Sequence, residues 1–270
     1  MIYKRIYLID NNTDVYLDVY CRDKNQYFNS KAILIIPGGG YSSVVSAKEG
    51  EPVALSFLAY GFCSFVLNYS VGMQNSFPSQ LIEASLAIKH IKDHADEYGI
   101  DPEKVFVAGF SAGGHLAGSL GILWHMPEIY QQIDMPYGYN KPTGMMLIYP
   151  VVSGIKEYSH KSSHCYLWGQ NVPTDEMLEK SSLELHVDEK SAPLFVMHTS
   201  SDNIVDVKNA LVLGTAYKEA GLNFEMHIYP EGPHGVALAN EITYRGKPET
   251  VNKHTAKWLE TAVEWTDSIK

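Results

Sequence analysis

A serine among small residues, an aspartate and a histidine occur in that order along this chain, each just after a short apolar run. They are Ser111 in Gly109-Phe110-Ser111-Ala112-Gly113, Asp202 behind Thr199-Ser200-Ser201, and His234 in Glu231-Gly232-Pro233-His234-Gly235. Together they could carry nucleophilic acyl transfer. A serine hydroxyl is a poor nucleophile at its ordinary pKa, so it needs a tight strand-to-helix turn that exposes it and a base within reach. Val105-Phe106-Val107-Ala108 before the turn and Gly114-His115-Leu116-Ala117 after it read as that strand and helix. The pattern G-x-S-x-G recurs by chance; the acid and base that follow it in the required order give it weight.

Asp202 would lie at the carboxyl edge of a parallel sheet, where open α/β sheets place their sites. A turn or capping aspartate is the plain structural alternative. Asp206 is a rival acid, but its place directly before Val207 suits a helix N-cap better. Of the eleven histidines, His90, His94, His125, His160, His186 and His254 read as surface or structural residues, and His198 and His227 as strand residues. His115 could pack beneath the serine turn or orient it. Pro37-Gly38-Gly39-Gly40-Tyr41 follows the apolar run Ile33-Leu34-Ile35-Ile36. Its glycines allow close backbone approach, so the N–H groups of Gly38, Gly39 and Gly40, with that of Ala112, would bind an oxyanion. Tyr41 at the loop's end is a candidate substrate contact. A flexible glycine loop and a phosphate cradle are the alternatives. The cradle lacks the Lys-Ser/Thr ending of a P-loop and the spacing G-x-G-x-x-G, and no acidic ribose partner is apparent.

These residues need a scaffold of alternating strands and helices. Ile2 to Ile9 and Val15 to Tyr20 alternate around Asn11-Asn12-Thr13 and predict an antiparallel hairpin. Ala32–Ile36, Phe62–Leu67, Val105–Ala108, Met145–Tyr149, Leu194–His198 and Phe224–Tyr229 read as strands buried on both faces. Helices are predicted over Glu51–Ala59, Pro78–Tyr98, Ser111–Leu123, Val207–Ala220 and Thr250–Ile269, several with glycine just past the end. The expected fold class is α/β: a mostly parallel sheet with an N-terminal antiparallel hairpin, in a single domain over 1–270. Ser153 to Ser191, about forty residues with a short helix near Thr174–Lys180, reads as a small lid, since inserts of this length are usually functional.

A formal net charge of −10 over 270 residues, with no basic cluster, argues against nucleic acid and anionic membrane surfaces. The N-terminus turns polar at Asp10-Asn11-Asn12, and no apolar run reaches the roughly 18 residues of a membrane span. A cytoplasmic protein acting on neutral small molecules is expected. Cys21, Cys63 and Cys165 lie far apart without C-x-x-C spacing, so neither a metal site nor a disulfide framework is indicated, and Cys63 reads as a small core residue. A homodimer through a sheet edge or the insert is left open.

Taken in order, Pro37 to Tyr41, Glu49-Gly50-Glu51-Pro52-Val53-Ala54, Val66-Leu67-Asn68-Tyr69-Ser70-Val71, Gly109 to His115, His198 to Asp202 with Val205, and His234-Gly235 resemble an α/β-hydrolase of the esterase/lipase superfamily. The chain is most similar to the small carbohydrate esterases that include acetyl-xylan and feruloyl esterases, over nearly all its length. Pro37 stands where many relatives have the histidine of His-Gly-Gly-Gly, and Asp206 where they often have proline. The resemblance implies a short-acyl, metal- and cofactor-free serine esterase acting on sugar or oligosaccharide esters. It makes Tyr158, His164, Tyr166 and Trp168 of the insert candidates for stacking on sugar rings. Amide or formamide hydrolysis, a peptidase activity on the same triad, and a non-catalytic binding role are the rival readings.

Overall fold

Successive residues of a strand face opposite sides of its sheet, so a continuous apolar run demands cover on both. Such runs separate into two cores here: Ala32, Leu34, Ile36, Val105 and Val107 pack in one, Ile33, Ile35, Phe106, Ala108 and Phe110 in the other. The computed structural model describes residues 1–24 and 29–269. Its strands are β1 (Ile2–Ile9), β2 (Asn12–Cys21), β3 (Ser30–Ile36), β4 (Cys63–Asn68), β5 (Ile100–Phe110), β6 (Met145–Ile148), β7 (Leu194–Thr199) and β8 (Phe224–Tyr229). They form one eight-stranded sheet in the order β1-β2-β4-β3-β5-β6-β7-β8. The β1–β2 and β2–β4 pairs are antiparallel and the rest parallel.

Helices α1 (Glu51–Ala59), α2 (Ser79–Asp93), α3 (Ala112–Ile122), α4 (Lys161–Trp168), α5 (Asp175–Lys180), α6 (Lys208–Glu219) and α7 (Trp258–Ser268) complete the layers. Val53, Phe57, Trp258 and Trp265 place α1 and α7 on one face; Leu81, Leu116, Leu120 and Leu213 place α2, α3 and α6 on the other. Ile36 pairs with Gly109 and Phe110 with Ile148, so the loops after β3, β5 and β6 leave the sheet side by side. Loops from one edge can therefore converge.

The helices depart from the sequence reading at two element ends and in the insert. The helix expected over Pro78–Tyr98 stops at Asp93, where His94 turns Nδ1 onto the His90 carbonyl at 2.8 Å, and a separate turn covers Ala95–Tyr98. The last helix begins at Trp258 rather than Thr250, because Asn252 Oδ1 captures the N–H groups of His254 and Thr255 and leaves short 3₁₀ turns ahead of it. The insert contains α4 as well as α5. α5 starts at an N-cap, Thr174 Oγ1 accepting from Met177 N–H, and α4 ends at Gly169 in the left-handed conformation.

Cys21 and Cys63 correct another expectation. They follow Tyr20↔Ser64 in the antiparallel β2–β4 register, stand 4.5 Å apart at Cα, and are joined as a disulfide. That separation is typical of a non-hydrogen-bonded cross-strand pair, and the 42-residue sequence gap hid it. Alkylation of denatured, unreduced protein is expected to modify Cys165 alone. Reduction is expected to cost about 3–4 kcal/mol of stability by the loop-entropy relation. Labelling of all three cysteines without reductant would refute the pairing.

Among the described residues no helix is long and apolar enough to cross a membrane, and no group of three His, Cys, Asp or Glu is placed to hold a metal ion.

Candidate active site

The small residues around Ser111 are dictated by backbone proximity. A Cβ on Gly109 would stand 2.2 Å from the Gly113 carbonyl oxygen, and one on Gly113 would stand 2.2 Å from that of Ile36. Main-chain atoms cannot swing aside as a side chain can. Ser111 itself has φ 54° and ψ −119°, a conformation that costs on the order of 1–3 kcal/mol and persists only when its surroundings impose it. They do: Ser111 N–H donates to Ile148 O at 3.0 Å, and Ser111 O accepts from the N–H groups of His115 and Val151, both at 3.1 Å.

Ser111 Oγ lies 2.8 Å from His234 Nε2, and His234 Nδ1 lies 2.7 Å from Asp202 Oδ2. A carboxylate only accepts, so Nδ1 carries the proton and Nε2 is free to take one from Ser111. Asp202 Oδ1 accepts from the N–H groups of Ile204 and Val205, and the buried His198 Nε2 lies 3.3 Å from Oδ2. Burial pushes the Asp202 carboxyl up, but hydrogen bonds from His198 and His234, the charge of His234 and the Ile204 N–H outweigh it and hold it well below the usual carboxylate range. Asp206 is elsewhere: its carboxylate accepts from Lys208 N–H at the start of α6. The histidine loop is tied to the aspartate loop, because Thr199 Oγ1 donates to Gly232 O at 2.7 Å and Gly232 N–H to Ser201 Oγ at 3.0 Å.

The glycine loop divides its donors. Gly38 N–H points to Glu49 Oε2 at 2.8 Å and is not offered to a substrate, which corrects the expectation for that residue. Its lack of a side chain still matters, since a Cβ there would stand 2.9 Å from Ser111 Cβ. Gly39 and Gly40 N–H have no acceptor among the described residues, and neither does Ala112 N–H, which as the first residue of α3 has no partner within its helix. These donors are free to meet negative charge developing beside Ser111.

A cleft of 630 Å³ opens over this centre, lined by Gly39, Gly40, Ser111 and His234, with Val44, Val45 and Lys48 on one side and His160, Ser162 and Tyr166 from the insert on the other. Tyr41, His164 and Trp168, expected to touch substrate, do not line it and are buried. Tyr41 Oη donates to His115 Nδ1 at 2.8 Å, and His115 Nε2 donates to Ser181 O at 2.7 Å. His164 Nε2 lies 3.2 Å from Ser153 O, and Trp168 Nε1 donates to Ser181 Oγ at 3.1 Å. These side chains fasten the insert to the core. Burial pushes the His115 imidazole down to about 4 and keeps it neutral in that role.

A family model, BD-FAE, matches residues 17–217. The chain belongs to the BD-FAE family. The BD-FAE chain is 35% identical over 223 residues to endo-1,4-beta-xylanase B of Butyrivibrio fibrisolvens, covering 79% of itself and 34% of that protein. It is 27% identical over 240 residues to an acetylxylan esterase of Xylanibacter ruminicola, covering 86% of itself and 46% of that protein. It thus spans less than half the length of either relative. Among solved structures it superposes on an acetyl ester-xyloside bifunctional hydrolase of Caldicellulosiruptor lactoaceticus with TM-score 0.84 and 32% identity, over 98% of this chain and 96% of that one. A carboxylesterase of Lactobacillus plantarum superposes with TM-score 0.83 and 25% identity, over 99% and 98%. The fold of this BD-FAE chain is that of the α/β-hydrolases.

Sequence reasoning missed two side chains of the BD-FAE site. Glu49 and Tyr149 meet beneath the glycine loop, and Tyr149 lies edge-on to His234 with ring centroids 5.1 Å apart. His160, read as structural, lines the cleft; burial first and then the neighbouring His234 push its pKa down. Glu49 lay within a quoted motif, but nothing local distinguishes it from a solvated glutamate.

Proposed function

We propose that this BD-FAE protein is a serine carboxylesterase that removes short acyl groups, acetyl foremost, from sugars or oligosaccharides. The observation that carries the reading is the hydrogen-bonded chain Ser111–His234–Asp202, at 2.8 and 2.7 Å, beside unpartnered backbone donors. Ser111 Oγ attacks the ester carbonyl and yields its proton to His234 Nε2. Asp202 holds the tautomer and stabilises the imidazolium. N–H groups of Gly39, Gly40 and Ala112 receive the oxyanion, each such donor being worth on the order of 3 kcal/mol in the transition state. His234 then protonates the departing alcohol, and water resolves the acyl-enzyme by the reverse path. Ester, water and these side chains account for every proton and electron pair in the cycle.

The relatives named for acetylxylan and acetyl-xyloside substrates support a sugar alcohol, as do the polar walls Ser162 and His160 and the ring of Tyr166. In this reading 1–270 is one α/β-hydrolase domain and 153–191 is its lid. Glycoside cleavage is disfavoured, because it needs two carboxylates across the scissile bond. Among the described cleft residues the single carboxylate is Glu49, which is buried and already accepts two hydrogen bonds. The expected cytoplasmic location stands against the Cys21–Cys63 disulfide, since cytosolic thiols are kept reduced; the oxidation state of protein taken directly from cells decides it.

With p-nitrophenyl esters, kcat/KM for acetate is expected to exceed that for octanoate by on the order of 10-fold or more, and acetylated xylo-oligosaccharides are expected to release acetate. Turnover of formamides or peptides with none of esters would overturn the reading.

A further inference from the structure

Glu49 ends a one-turn helix, Ser46–Glu49, and is 3% exposed. Its Oε2 accepts from Gly38 N–H at 2.8 Å and its Oε1 from Tyr149 Oη at 2.9 Å. Tyr149 Oη in turn accepts from Ala237 N–H at 3.0 Å. Two segments bond the carboxylate, the glycine loop after β3 and the end of β6, and Tyr149 links them to the loop that carries His234. The directions of these bonds follow from their donors. Ala237 N–H occupies a lone pair of Tyr149, so the hydroxyl proton goes to Glu49, and Gly38 N–H can only donate. Both Glu49 oxygens accept, which suits an ionised carboxylate with no proton to place and which an amide, with its NH₂ donor, cannot reproduce. Burial raises the Glu49 pKa; the Gly38 and Tyr149 donors, the charge of His234 and that of Lys48 oppose the rise without cancelling it.

We propose that Glu49 is a positioning residue for acyl transfer: with Tyr149 it locks the oxyanion loop against the histidine loop, and as a second buried anion beside Asp202 it stabilises the His234 imidazolium. The inference rests on the esterase reading above. Glu49 Oε1 lies 3.8 Å from where a Cβ on Gly235 would stand, so its charge runs alongside the residue that follows the base. The other groups facing His234 are Asp202 from the loop after β7, Tyr149 from the end of β6, His160 from the insert, and Lys48, whose Nζ lies 3.6 Å from the same Gly235 position. His198 acts on Asp202 from behind. Lys48 is half-exposed, so solvent screens its opposing charge more than that of Glu49.

The test compares full-length wild type, Glu49→Gln, Glu49→Asp and Tyr149→Phe on p-nitrophenyl acetate across the pH range, with thermal melts alongside. Glu49→Gln should lower kcat about 10²-fold, as losing an oxyanion donor does, with KM within about threefold. Its acid limb in kcat/KM should move to lower pH, because the imidazolium loses an attracting anion and deprotonates more readily. Glu49→Asp keeps the charge but is too short to span both donors. It should retain the wild-type acid limb while kcat stays low. Tyr149→Phe keeps Glu49 and the Gly38 bond, and should lower kcat about 10-fold with the acid limb nearly unmoved.

A folded Glu49→Gln enzyme with wild-type kcat and acid limb would overturn the proposal, as would activity lost only in proportion to unfolded protein. Should Glu49→Gln not fold, Tyr149→Phe decides: unchanged kcat overturns the lock. A wild type inactive on every acyl ester would instead bring down the esterase reading itself.

Discussion

Ser111→Ala is expected to lower kcat for p-nitrophenyl acetate by about 10⁵–10⁶-fold, to what binding and the oxyanion donors supply alone. The loss should be purely chemical. The Ser111 hydroxyl makes one hydrogen bond, to His234 Nε2, and alanine keeps the Cβ that the φ 54° backbone already accommodates. The bonds from Ile148, His115 and Val151 that hold the elbow all go to main-chain atoms and survive the change. The melting temperature should therefore stay within a few degrees of wild type, and a fluorophosphonate that labels the wild-type serine should not label the variant. An alanine variant retaining more than about a hundredth of the activity would remove Ser111 from the mechanism.

Asp202→Asn should cost about 10⁴-fold in kcat, the penalty for a histidine held in the wrong tautomer. Asn would present an NH₂ group to His234 Nδ1, drive the imidazole proton onto Nε2, and leave Ser111 Oγ facing a donor instead of a base. The same change puts the NH₂ at the position of Oδ2 and disturbs the contact at 3.3 Å from His198, while the carbonyl oxygen keeps the Oδ1 position that accepts from Ile204 and Val205 N–H. Some loss of stability should accompany it. Asp206→Asn is the internal control: this side chain bonds only Lys208 N–H, so kcat should stay within about threefold while stability falls by about 1 kcal/mol or less. The opposite ranking of the two variants would transfer the acid role to Asp206.

Legibility from sequence followed the range of each interaction. The turn at Ser111 was readable because its requirements are local: a strand, three small residues and a helix, with Gly109 and Gly113 answering to backbone atoms 2.2 Å away. Asp202 and His234 could be singled out because each follows a doubly buried apolar run, and parallel strands present their carboxyl ends on one edge. The parallel sheet with its leading hairpin followed from the change from alternating to continuous apolar patterns between β2 and β3. Aromatic content in the insert pointed to Tyr166 correctly and to His164 and Trp168 wrongly. Composition does not say which side of α4 docks, and the docked side is the one bearing His164 and Trp168, leaving Tyr166 at the cleft.

By itself, then, the sequence determined the strand–helix alternation, the serine turn and the chain order of Ser111, Asp202 and His234. Hydropathy period and backbone sterics operate over a few residues and leave their mark in residue type. Tertiary structure alone decided that Gly38 N–H serves Glu49 rather than an oxyanion, that Glu49 meets Tyr149 from 100 residues away, and that Cys21 faces Cys63 across two strands. A buried carboxylate is spelled like a solvated one. Only folding removes water from Glu49 and supplies, from distant segments, the two donors that its carboxyl oxygens accept.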